Sequence, residues 1–394
     1  MTGGQPLVGV VNAGSSSLKF AVYEGETRLL SGQYEGLGVK PAASAAGAGG
    51  ERLDPPPLGD PPPESPADVL PHLVAWLGRQ LPGRPLAAIG HRIVHGGERH
   101  ARPERVTPAL LDELQRLVPL APLHQPFNLA PIRAALALAP DQPHVACFDT
   151  AFHRTMPEVA QAFALPAELR RAGIRRYGFH GLSYEYIASV LPRQAPEIAG
   201  GRVVVAHLGN GASMCAMQDR VSVATTMGFT ALEGLPMGTR SGQLDPGVVL
   251  HLLLQRGMSA EDVETLLYRQ SGMLGLSGIS SDFRDLLASR APDAAFAIEY
   301  FCYSAARAIA SLAGALGGLD GIVFTAGVGE HAAPVRARIL EACGWLGVAL
   351  DPAANDRDGP RISRAGSRVA AYVLPTDENL MIARHVRSVL GLDS

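Results

Sequence analysis

The residues best suited to chemistry lie in short polar turns between apolar runs. The first run, Leu7 to Glu24, reads LVGVVNAGSSSLKFAVYE and packs an Asn, a Gly, serines and a lysine into one turn. The Walker A pattern, in which Gly-Lys-Ser/Thr opens a helix, is absent. Leu18 to Tyr23 alternates and carries β-branched and aromatic residues, so the stretch reads as strand, tight polar turn, strand. Backbone N–H groups of such a turn, with serine hydroxyls and an ammonium, can hold phosphate oxygens without a helix dipole. An ordinary hairpin is the alternative. Of 34 basic residues only Lys19 and Lys40 are lysine. In so arginine-rich a chain, Lys19 marks a place where a compact ammonium works and a planar guanidinium does not fit. Lys40 reads as a solvated charge.

Arg92, in GHRIVHGG, and Arg240, in MGTRSG, have glycine neighbours that let the backbone approach a ligand. A forked guanidinium suits a carboxylate or an equatorial phosphoryl oxygen; a surface salt bridge is the competing reading. Asp149, in CFDTAFH, ends a strand, where it can face a cleft or cap the next turn. His180 follows a Gly-aromatic turn in GFHGLS, and by sequence alone it reads as a satisfied structural histidine.

These side chains need elements to hold them. Helices are expected over Asp68 to Leu81 and Ala167 to Ile174, and after the Gly turn of YGFHGLSYEYIASVL. Strands are expected over Leu86 to Val94 and Val145 to Phe148. Residues 40–66, rich in Ala, Gly and Pro with no hydrophobic period, read as a mobile or polyproline-like surface excursion. The opening pattern returns in GRVVVAHLGNGASMCAMQDRVSV, Gly201 to Val223, as strand, Asn/Gly/Ser turn, strand, turn, strand. Two such hairpins predict two related halves with a nucleotide cleft between them. DGIVFTAGVGEHAAPVRARIL adds a buried strand, a Gly-x-Gly-Glu turn and a helix, a setting that suits a nucleotide-contacting loop.

Length and composition bound the rest. A chain of 394 residues, 47% hydrophobic and 18% charged, fits two globular domains. A net charge of -3 without a sustained basic face argues against nucleic acid as a partner. No signal-peptide pattern or long uncharged apolar run is visible, so a cytoplasmic, non-membrane protein is expected. Cys147, Cys215, Cys302 and Cys343 are scattered without a C-x-x-C pair and read as reduced core thiols.

In combination, NAGSSSLKF, GHRIVHGGE, LAPLHQPFN, FDTAFHRTMP, RYGFHGLSY, AHLGNGAS, GFTALEGLPMGTRSG, FTAGVGE and PTDENL resemble the acetate kinases of the acetate and sugar kinase, heat-shock 70 and actin superfamily. The similarity runs from Leu7 to near Val389. It implies an α/β, duplicated two-domain actin-like (ribonuclease H-like) ATPase fold with an interdomain cleft. The domains would be residues 1–150 and 151–380, with a C-terminal helix at 380–392 packing back on the first. The implied reaction is reversible transfer of the γ-phosphoryl group of ATP to acetate with Mg²⁺, or Mn²⁺, in a homodimer. A propionate or broader short-chain acyl kinase is the alternative. A heat-shock-70-like ATPase would need an appended substrate domain, and the chain is expected to end too soon for one.

Residue by residue, the resemblance implies that Arg92 binds the acyl carboxylate and that Arg240 and His180 stabilise the transferring group, with His124 and His207 in secondary roles. It gives Asp149 an acid/base role. Acetate is already ionised at neutral pH, so Asp149 is expected instead to organise Arg92 or metal-bound water. Asn12 and Glu378 match the metal positions. Val94, Leu123, Phe179 and Ala231 match the acyl pocket. Nucleotide contacts are implied for Lys19, for His207, Leu208, Gly209, Asn210 and Gly211, for Asp282, Phe283 and Arg284, and for Gly327, Val328, Gly329, Glu330 and His331. Phe283 or Arg284 would lie against adenine. The chain departs from the family pattern at His331, Gln243, Ala224, the Gly-Leu-Ser-Tyr of 181–184, and Ala231, where most members carry proline.

Overall fold

The computed structural model describes residues 4–14, 16–122 and 124–393. The chain divides into two compact units, one formed by Met1–Ala151 with Asp377–Ser394, the other by Phe152–Thr376.

The first unit is built on a sheet of eight strands: β1 (Leu7–Ala13), β2 (Leu18–Glu24), β3 (Thr27–Glu35), β4 (Ala42–Gly47), β5 (Arg52–Leu53), β6 (Leu86–Ile93), β7 (Glu104–Arg105) and β8 (His144–Phe148). Their order across the sheet is β5-β4-β3-β2-β1-β6-β8-β7. β1, β2 and β3 form an antiparallel meander, and β6 and β8 add to β1 in parallel. Parallel strands at a sheet centre need cover on both faces, so they read as apolar runs rather than alternations; β8 is buried along its whole length. The Leu70–Gln80 helix buries Leu70, Leu73 and Trp76 against Phe20 and Leu18. Ile93 and Phe148 pack with Leu110, Leu114 and Ile132 in a second cluster. The Glu378–Leu390 helix lies against β1, β6 and β8.

The second unit repeats this plan. β9 (Arg202–Leu208), β10 (Ala212–Gln218) and β11 (Val221–Thr225) form an antiparallel meander, and β12 (Gly321–Thr325) and β13 (Ala370–Val373) extend β9 in parallel. The order β11-β10-β9-β12-β13 matches β3-β2-β1-β6-β8 strand for strand. This is the duplicated α/β architecture of the actin-like ATPases.

Two local expectations are corrected. Residues 40–66 are not an unstructured excursion: β4 pairs along β3 from Glu35↔Ala42 to Leu30↔Gly47, and β5 pairs with β4. The strand holds through its backbone ladder, which residues as small as Ala, Ser and Gly form without leaving a hydrophobic period to read. The proline segment that follows is anchored as well, by Trp76 Nε1 donating to Asp54 O at 3.0 Å. The Gly-x-Gly-Glu stretch is the Ala326–His331 helix rather than a turn.

Candidate active site

In an open α/β sheet, ligands bind beyond the carboxyl ends of the parallel strands. The first unit gathers its polar residues there. Asn12 lies near the end of β1, Arg92 near the end of β6, and Asp149 follows β8 directly. Glu378 opens the C-terminal helix. An Arg92 Nη2 proton is donated to Asp149 Oδ2. Arg92 Nη1 donates to Asn12 Oδ1 at 3.4 Å, and Asn12 Nδ2 donates to Glu378 Oε2 at 3.3 Å. Burial opposes the charge on Arg92, but the Asp149 and Glu378 carboxylates and the Asp149 hydrogen bond outweigh it and hold the guanidinium above its ordinary value. Lys19 stands opposite Asn12 in the β1–β2 pair and is exposed. Directly opposed residues point to the same face of a sheet, so the Lys19 ammonium shares a face with the amide.

Asn128 holds the ends of β1 and β6, and sequence reasoning missed it although LAPLHQPFN contains it. Its Oδ1 accepts from Val94 N at 2.8 Å and its Nδ2 donates to Ala13 O at 2.7 Å. Gln125 ties the backbone of His95 in the same way. Both amides are buried on the Gln125–Leu138 helix and satisfied by the backbone of other elements, and in the sequence only their residue types point to such roles. Val94 is buried beside Arg92. His124 is the N-cap residue of the Gln125–Leu138 helix. Leu123 lies outside the described residues.

The second unit gathers imidazoles and a guanidinium. His180 and His207 stack with ring centroids 4.2 Å apart. His180 Nδ1 bonds to Ser213 Oγ at 2.8 Å, and His207 Nδ1 bonds to Ser183 Oγ at 2.8 Å, which in turn meets Thr376 Oγ1. Both Nδ1 atoms are thereby engaged within the protein, which fixes the orientation of the two rings. Arg240 Nη1 donates to Ala231 O at 2.6 Å. A β-carbon built on Gly211 would stand 2.8 Å from Arg240 Nη2 and 3.2 Å from His180 Nε2, so only glycine leaves that space open. Phe179 is buried immediately before His180.

The other candidate nucleotide residues divide. The Asn210 carbonyl accepts from Gly238 N, and Ser281 packs beside Gly238, which sets the Asp282 to Arg284 run next to the Gly209–Gly211 turn. Within that run, Phe283 is buried in a T-shaped contact with Phe301 at 4.7 Å, whereas the Arg284 side chain is 90% exposed. Leu208 is buried and offers only its backbone. Ala326 packs near Gly209, bringing Gly327, Val328 and Gly329 alongside. Glu330 is turned inward: its Oε1 accepts from Ala326 N at 2.7 Å and from Thr376 N at 3.2 Å. These bonds tie one carboxylate oxygen to the backbone at the start of its own short helix and ahead of Asp377. The His331 side chain is 74% exposed, with Nε2 3.9 Å from Glu330 Oε2.

This duplicated fold, with a carboxylate-paired arginine near a strand end in one unit and an arginine close to His180 in the other, is that of a phosphoryl-transfer protein. Residues 7–384 match the model of the Acetokinase family. The acetate kinase of Rhodopseudomonas palustris is 54% identical over 387 residues, covering 96% of each chain. The crystal structure of Porphyromonas gingivalis acetate kinase superposes with a TM-score of 0.87 at 34% identity, over 98% of this chain and all of that one. A Francisella tularensis propionate kinase gives 0.90 at 35% identity, over 96% and 98%. The chain belongs to the acetokinase family.

Proposed function

We propose that the protein is an acetate kinase, moving the γ-phosphoryl group of ATP reversibly to acetate. An acetate oxygen forms a bond to phosphorus as the bond to the bridging oxygen of ADP breaks, and no proton is transferred. Charge in a loose phosphoryl-transfer transition state spreads over the equatorial oxygens, so catalysis rests on positioning and positive charge. Arg92 takes the acetate carboxylate. Asp149 fixes the fork of that guanidinium and moves no proton. Arg240 and His180 meet the charge on the phosphoryl group. Lys19 and the Gly209–Gly211 turn hold nucleotide phosphates.

Asn12 and Glu378 bring an amide oxygen and a carboxylate, hard donors that suit Mg²⁺, or Mn²⁺, taking one or two protein ligands and the rest from water and phosphate. When bound, such an ion neutralises phosphate charge. The observation that carries the reading is the continuous Asp149–Arg92–Asn12–Glu378 relay in a chain of the acetokinase family. The test is ATP with acetate and hydroxylamine: acetyl hydroxamate is expected, and phosphate release without it would refute the assignment.

Propionate is the second acid to consider, supported by the small Ala231 beside Arg240. The protein acts as a homodimer in the cytoplasm. The Pro246–Leu254 helix, PGVVLHLLL, buries none of its residues within the chain, and Phe296 and Tyr303 of the Pro292–Leu316 helix are also exposed, which supports a covered apolar face. Four buried, unbridged cysteines suit a reducing compartment. Light scattering checks the dimer.

A further inference from the structure

We propose that His153 is a positioning residue for phosphoryl transfer: its hydrogen bond to the Phe179 carbonyl fixes the backbone on which His180 is presented. His153 is 1% exposed and lies in FDTAFHRTMP. Its Nε2 is 2.9 Å from Phe179 O and its Nδ1 is 2.9 Å from Ser222 Oγ. A carbonyl can only accept, so Nε2 carries the proton. Nδ1 of the neutral ring then accepts from the Ser222 hydroxyl, and Cys215 Sγ donates to Ser222 Oγ at 3.3 Å. Cys215, Ser222, His153 and Phe179 form one directional chain of hydrogen bonds.

The end of that chain matters because the Phe179 carbonyl belongs to the peptide plane that precedes His180. His180 has φ 57° and ψ 26°, the left-handed region that a β-carbon disfavours, and it opens the Gly181–Gln194 helix from that conformation. A residue persists there only where its surroundings over-determine it. Three contacts do so here. Phe179 O is held by His153, His180 O accepts from Tyr184 N at 3.1 Å, and the imidazole is held by Ser213. The fit is close: a β-carbon on Gly178 would stand 2.5 Å from His153 Cδ2. Burial holds the His153 imidazole down at about 4, only partly offset by the Phe179 hydrogen bond, so the ring stays neutral at working pH.

The inference rests on the catalytic role proposed for His180, and the experiment separates the two. His153→Phe keeps a ring in the space but removes the donor. With the KM values for acetate and MgATP held within about threefold, kcat is expected to fall about 10- to 100-fold, the usual effect of a small misplacement of a reacting group. His153→Gln, whose amide can donate to the carbonyl, is expected to recover most of that loss. In a His180→Ala background the same His153→Phe change should alter kcat less than about twofold, because the two act as one unit. Ser222→Ala, which removes the donor to Nδ1, gives a milder lesion should the Phe variant not fold, with kcat expected to drop about threefold or more.

A silent His153→Phe beside a crippled His180→Ala overturns the inference alone. An undiminished His180→Ala overturns the role of His180 and the inference with it. Unchanged kcat in Ser222→Ala, an equal loss from His153→Phe in both backgrounds, or no rescue by Gln with both KM values raised, would each show His153 to be merely structural.

Discussion

Asp149 is 1% exposed and its Oδ2 accepts from Nη2 of Arg92, whose side chain keeps 18% of its surface. The carboxylate is hidden, and the guanidinium it steadies is only partly accessible. Asp149→Asn retains an acceptor but removes the charge. A hydrogen bond to a charged group is worth about 1.5 to 3 kcal/mol, so kcat/KM for acetate is expected to fall about 10- to 100-fold. The shape of the pH–rate profile should not change. Loss of one limb of that profile would show that Asp149 moves a proton.

Arg240 reaches both Ala231 O and the space over Gly211. If it meets charge that develops only in the transition state, Arg240→Ala should lower kcat about 10²- to 10³-fold, as loss of an oxyanion donor does. The KM for MgATP should stay within about threefold, since ground-state binding is not removed. Steady-state kinetics with varied MgATP decides it, and near-normal kcat is the adverse outcome.

Lys19 faces the same side of the sheet as Asn12. Lys19→Arg keeps the charge but replaces a compact ammonium with a planar fork. The expected result is a rise of about tenfold in the KM for ATP, equivalent to about 1.4 kcal/mol. Unchanged ATP kinetics would return the turn to an ordinary hairpin.

Ala231 stands where most family members are expected to carry proline, and only its carbonyl is committed, to Arg240. One extra methylene in an apolar pocket is worth about 1 to 3 kcal/mol, so propionate should be used with kcat/KM within about tenfold of acetate. Ala231→Pro should widen the preference for acetate. Strong rejection of propionate by the wild type, with no change in the variant, would remove Ala231 from the pocket.

Burial holds His95 and His153 at about 4, well below the ordinary imidazole value. The unfolded chain therefore binds protons that the folded one refuses between about pH 6.5 and pH 4. Stability is expected to be flat above that window and to fall through it as pH drops, by up to about 3 kcal/mol for each imidazole. Melting temperatures recorded from pH 8 to pH 4 check the direction, and His153→Gln should flatten the slope. A midpoint independent of pH would contradict it.

How much could be read from sequence follows from where the signal lies. β1, β2, β6, β8, β9 and β10 have large or β-branched residues and bounding turns, and the repeated hairpin announced a duplication that appears as the shared strand order of the two sheets. β4 and β5 were hidden because their residues are small and their cohesion comes from the ladder. Phe283 and Glu330 sit within motifs that resemble ligand-binding stretches, and their contacts to Phe301 and to the Ala326 backbone were not legible there, because packing and hydrogen-bond geometry exist only in the folded chain. Asn128 and His153 left no trace beyond their types, since their partners, backbone atoms for Asn128 and the Phe179 carbonyl with the Ser222 hydroxyl for His153, lie far away in sequence. Only the fold brings those atoms to them.

The Glu378–Leu390 helix that closes the first unit has a bearing on how the protein is made. Phe152–Thr376 is one continuous segment, whereas the first unit draws its two pieces from either side of it. During synthesis the second unit can therefore complete its core while the first still waits for a helix that has not left the ribosome. Until that helix docks on β1, β6 and β8, Arg92 and Asp149 can pair, but Glu378 is missing from the relay. The Asn12–Glu378 contact is thus the last element of the relay to be assembled, and a nascent chain stalled before residue 378 would lack it.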